Sequence, residues 1–158
     1  MKTHKENAEY FRLALLSGLT DCVSVMAWAD SIINADAAPS RQAIEMATCP
    51  EDDIGRITSL LRTFEGPGDL KMSARAVIGL VQKQYQSGLL SIAEAIKALS
   101  KIGEASLLNN DFIVDVSIVA DEVVDATKGV LTSGVAREGL TDLFARWSVN
   151  CEDWGLNV

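Results

Sequence analysis

Along most of the chain, apolar residues return every three or four positions, the interval at which side chains stack on one face of an α-helix. From Lys5 to Ser17 this pattern turns Tyr10, Leu13, Ala14 and Leu16 inward, and Gly18 stands where a left-handed residue closes a helix. Thr20 or Asp21 then caps a second helix with Val25, Ala29, Ile32 and Ile33 on one side and Cys22 and Trp28 beside them. Pro39 ends it, Ser40 caps a short helix through Met46, and Pro50 with Glu51, Asp52 and Asp53 opens another that carries Ile54, Ile57, Leu60, Leu61 and Phe64. Gly66-Pro67-Gly68 is a turn. Residues 69–87 follow as a longer helix packing Met72, Ala76, Ile78, Gly79 and Tyr85, and Ser91 caps one that runs to Ile102 with Ile92, Ala95, Ile96 and Leu99 inside. The last two predicted helices are Asp111–Lys128 and Ser133–Asn150, the latter burying Val135, Leu140, Leu143, Phe144 and Trp147.

No stretch alternates with period two between turn signals, so no strand is predicted. The expected fold is therefore all-α: a single domain over residues 1–158, built as a compact array of about seven or eight helices, with HEAT-like hairpin pairs as one form it can take. Ser17-Gly18-Leu19 and Ser87-Gly88-Leu89, 70 residues apart, each sit between two predicted helices and hint at an internal repeat.

The segment Asp111–Lys128 is an apolar helix that is expected to organise the rest. Phe112, Val116, Val119, Ala120 and Val123 form its buried face, widened by Ile113, Ile118 and Val124. Five acids share the helix with one base. Asp111 suits a helix start, where carboxylates meet free N–H groups. Asp121, Glu122 and Asp125 lie toward the negative end of the helix dipole, and the pairs Asp111/Asp115 and Asp121/Asp125 are i,i+4 repulsions of about 0.2–0.5 kcal/mol each. A solvated face explains such acids in an acidic protein; a basic partner or a metal is the alternative.

Net charge sharpens that choice. The chain carries −8, of which residues 101–158, with four bases and ten acids, hold −6. This argues against nucleic acid or an anionic membrane, since phosphate contacts need clustered Lys and Arg. Cys22, Cys49 and Cys151 have neither C-x-x-C spacing nor an even count, which predicts reduced thiols in a cytosolic protein. The polar opening MKTHKENAEYF is no signal peptide, and no run is long enough to span a bilayer.

Catalytic chemistry finds few residues to use. His4 is the single histidine and lies in a terminal segment, Cys22 sits on a core-facing helix, and Gly66-Pro67-Gly68 holds a proline where a phosphate loop needs an amide. No catalytic residue, metal-ligand set or cofactor is predicted. Glu122-x-x-Asp125 does place two carboxylates where they can share Mg²⁺, and it resembles half of the E-x-x-E…E-x-x-D pattern of all-helical nucleotide pyrophosphatases; Glu6-x-x-Glu9 is the sole E-x-x-E and lies far from the usual separation. Trp28 is expected in the core, and Trp154 is expected either to pin the tail, the commoner case, or to sit at an interface.

Residues 13–66, through Leu16, Gly18, Leu19, Trp28, Ala29, Asp30, Ile33, Pro39, Ile44 and Leu61, resemble the opening half of small all-helical bacterial proteins encoded beside polymorphic toxins and taken to be immunity proteins. The resemblance implies a non-enzymatic inhibitor and supplies no binding motif. Combined with the acidic last third, it leads to the expectation of a basic protein partner, such as a toxin, held by Asp115, Asp121, Glu122 and Asp125. A metal-dependent nucleotide pyrophosphohydrolase and a helical adaptor or scaffold are the competing readings.

Overall fold

The computed structural model describes residues 2–152 and 154. These form eight helices: α1 (His4–Leu16), α2 (Cys22–Ala35), α3 (Arg41–Ala47), α4 (Ile54–Arg62), α5 (Leu70–Gln86), α6 (Ile92–Ala105), α7 (Asn110–Thr127) and α8 (Ser133–Trp147). The all-α expectation is met, and most starts follow from local capping. Thr3 and Ser91 form capping boxes with Glu6 and Glu94, while Asp21, Ser40, Asp53 and Asp69 each accept from an amide in the first turn of the helix that follows. Asp53 is thus the cap of α4, and Pro50 to Asp52 form a turn ahead of it rather than its opening. The final helix stops at Trp147, short of Asn150.

Three of the helical pairs share one connection. Linkers 17–21, 87–91 and 128–132 are each five residues long, and each places a glycine with positive φ second: Gly18 at 73°, Gly88 at 79° and Gly129 at 76°. The residue after each glycine donates its amide back five positions, from Leu19 to Ala14, Leu89 to Gln84 and Val130 to Asp125, all at 2.9 Å. This is the Schellman closure, which a side chain with a Cβ disfavours at the glycine. The repeat seen 70 residues apart in the sequence is therefore a real pair of helix-closing turns, and Lys128-Gly129-Val130 is a third copy.

Packing places α1 at the centre. Every residue from Ala8 to Leu15 is buried, including Glu9 and Arg12, because α4 and α5 cover it and α6 closes one end. The Arg12 guanidinium donates to both Glu9 carboxylate oxygens at 2.7 Å and to the Ala105 carbonyl of α6 at 2.7 Å, so the charges that enter the core are matched there. α2, α3 and α4 wrap the other flank, where Trp28 meets Phe11 and Phe64 with ring centroids 4.9 and 5.4 Å apart. Beyond α8 the chain returns across α5. The Val149 amide donates to Arg75, and a Cβ on Gly79 would overlap the Val149 carbonyl, so glycine is what lets this strap lie flat. The strap delivers Trp154 onto Tyr10 of α1, at a ring separation of 5.6 Å, as the sequence reading of that tryptophan anticipates.

The segment expected to organise the fold lies at its edge. α7 packs chiefly against α6 and α8, burying Phe112, Val116 and Val119, and its remaining side faces solvent. Ile113, Ile118 and Val124, expected to widen the buried face, are exposed instead, as is Val135 of α8. An apolar helix with two neighbours can cover only the faces those neighbours touch.

Candidate acidic binding face

The four carboxylates singled out on α7 fall into two pairs. Asp115 and Glu122 lie seven residues apart on the flank that meets α8, while Asp121 and Asp125 lie on or beside the outward side. Asp115 is engaged within the protein. Its Oδ2 accepts from the Trp147 indole at 2.7 Å and from Arg146 at 3.0 Å, with the Arg146 guanidinium 5.3 Å from the Trp147 ring. This carboxylate holds α8 onto α7, a role that sequence spacing does not reveal because its partners are 31 and 32 residues away.

Glu122, Asp121 and Asp125 receive no ion pair from any described residue. Asp121 is exposed and Asp125 is half-buried. Beside them on the outward side stand Val114 and Ile118, about half exposed at 54 and 53 %, while Val124, 47 % exposed, lies round the helix from them. Single exposed apolar residues are ordinary, but Val114 and Ile118, one turn apart, continue along the helix into Asp121 and Asp125, so a small apolar patch adjoins the carboxylates. Val130, in the turn that closes α7, is 69 % exposed.

Between α7 and α8 runs a groove of about 190 Å³ whose lining includes Ile118, Val119, Glu122, Gly139, Asp142 and Leu143. Glu122 Oε2 is buried there with no hydrogen-bond partner, and a Cβ on Gly139 would overlap it. Asp142 and Gly139 line this groove, and the sequence reading passed over both. Asp142 was hidden by being one acid among ten in the last third, and Gly139 carries no charge to notice.

Elsewhere the titratable groups have structural roles. Glu6 accepts from the Thr3 and Asp69 amides, at 2.9 and 3.1 Å, and these bonds hold its carboxyl below the usual range. With Glu9 committed to Arg12, both members of Glu6-x-x-Glu9 are occupied by protein donors. Among the described residues, no group of three or more His, Cys, Asp or Glu side chains is placed to hold a metal ion. Cys22 and Cys49 are buried and Cys151 is half-buried; burial pushes the Cys22 and Cys151 thiols up, away from the thiolate a nucleophile needs. No helix among the described residues is long and apolar enough to cross a membrane. The chain matches no family model, no curated protein and no solved structure with which it was compared.

Proposed function

We propose that this chain is a non-enzymatic binding protein that holds a basic protein against the outward face of α7, in the manner of an immunity-type inhibitor of a basic toxin. The observation that carries the reading is the coincidence, on one helix side, of carboxylates without counter-ions and exposed aliphatic residues. A solvated acidic face has no use for Val114 and Ile118, and an apolar dimer contact has no use for Asp121 and Asp125. Together they suit a cationic surface with apolar residues beside its charges: the charges steer the encounter and the aliphatic pair provides desolvated contact area. Asp121, Asp125 and Glu122 are the acids available to a partner, with Asp115 supporting the helix pair behind them.

The test is a titration of the chain against the product of the gene encoded beside it, at low and high salt. Reversing Asp121 and Asp125 to lysine is expected to weaken the complex at least tenfold at low salt and to flatten its salt dependence, as the loss of two steering charges requires. Unchanged affinity in that double variant removes α7 as the docking face.

A further inference from the structure

We infer that the cleft between the first turns of α1 and the last turns of α2 binds a small organic anion with an apolar body, an aromatic or aliphatic carboxylate. The cleft lies apart from α7 and does not depend on the binding role proposed above. Its origin is a departure from the repeated turns. Linkers 87–91 and 128–132 lead into helices that pack back along their predecessors, α6 on α5 and α8 on α7. Linker 17–21 closes α1 with the same glycine turn, yet the backbones of α1 and α2 hardly approach each other. The Phe11 and Trp28 rings, with centroids 4.9 Å apart, stand between them, and Trp28 also reaches toward Phe64. Two helices joined at one end and propped apart by aromatic rings make a wedge, and at its mouth lies a cavity of about 640 Å³. Small-molecule sites span about 300–1,000 Å³.

The two walls of the cavity differ. Trp28, Ile32 and Ala35 line it from one side of α2, with Ser31 between them. Ser31 donates its hydroxyl to the Trp28 carbonyl at 2.6 Å, so this wall offers mainly carbon. Lys2, His4 and Asn7 line the other side. Among the described residues no carboxylate lines the cavity, in a chain whose 22 acids outnumber its 14 bases. Glu6, on the same stretch of α1, turns its carboxylate to the Thr3 and Asp69 amides. Lys2 forms no ion pair with any described residue, and its ammonium is held over the Trp154 ring, 4.4 Å from the centroid. A carboxylate at this rim meets an ammonium and an imidazole while its apolar remainder lies against the α2 wall, the division between a few orienting polar groups and a mostly apolar lining that small-molecule sites use.

The probes are phenylbutyrate, phenylbutanol and phenylbutylamine, which share one apolar body and differ in charge. Each is titrated into the full chain and followed by amide chemical shifts. Phenylbutyrate is expected to bind most tightly and the amine least, with the largest shifts at His4, Asn7, Ser31 and Ala35. Lys2→Gln combined with His4→Gln is expected to weaken phenylbutyrate about threefold to fivefold, the size of a solvent-screened charge contact, and to leave phenylbutanol unchanged. Ala35→Phe places a ring in the mouth from an exposed position and is expected to abolish binding of both. If none of the three probes shifts these amides, no site is present and the inference is overturned. If phenylbutyrate and phenylbutanol bind alike and the double variant changes neither, the assignment to an anion is overturned.

Discussion

Replacing Asp115 separates its two partners and decides whether the residue is structural. The Trp147 indole donates to it at 2.7 Å in a half-buried setting, whereas Arg146, whose side chain is 61 % exposed, reaches it at 3.0 Å. A hydrogen bond to a charged group contributes about 1.5–3 kcal/mol, and a solvent-screened ion pair about 0.2–1 kcal/mol. The indole bond therefore dominates. Asp115→Ala, which also leaves the indole N–H without its acceptor, is expected to cost about 2–3 kcal/mol. Arg146→Ala is expected to cost about 0.5 kcal/mol. Asp115→Asn, which keeps an acceptor oxygen and loses the charge, falls between them. In urea, with a slope near 2 kcal/mol per molar, the Asp115→Ala midpoint moves down by about 1 M and the Arg146→Ala midpoint by about 0.25 M. Circular dichroism at equilibrium measures both. If Arg146→Ala proves as costly as Asp115→Ala, the indole bond is not what anchors α8, and the assignment of Asp115 to structure rather than binding is wrong.

The outward acids carry the opposite expectation. Asp121→Asn or Asp125→Asn relieves an i,i+4 repulsion near the negative end of α7, so each is expected to raise stability by about 0.2–0.5 kcal/mol, a rise of about 1 °C in the thermal midpoint. Arg12→Met strands the Glu9 carboxylate in the core and is expected to cost about 3–5 kcal/mol, while Glu9→Met with Arg12→Met recovers most of that loss in the same urea assay. The Glu6 carboxyl is held below its ordinary value of 4.5 by the Thr3 and Asp69 amides, so its contribution is present above that value and is lost as pH falls through the lower folded value. Acid titrations of stability should accordingly show a shallower decline below pH 4.5 in Glu6→Gln than in the unaltered chain.

Local signals carried most of the fold. Each of Asp21, Ser40, Ser91 and Gly18 acts within one or two turns of its own position, and each was readable where it stands. The arrangement of the helices was not. Residues 4–16 look only moderately apolar because Glu9 and Arg12 interrupt the pattern, yet they form the central helix, since the two charges match each other and the end of α6. Asp111–Lys128 is more apolar and lies at the rim, because burial depends on how many neighbours cover a helix and composition does not specify that number. For the same reason the acidic cluster was legible as a cluster but not as two pairs: what divides Asp115 from Asp121 is the α8 surface, which includes an indole, a guanidinium and a glycine brought from some twenty to thirty residues further on.

The strap over Gly79 sets an order of events during synthesis. Tyr10 leaves the ribosome well before the ring that covers it, because that ring belongs to residue 154, beyond all eight helices. The nascent protein must therefore carry an uncovered seam along α1 until the strap is made and seals it.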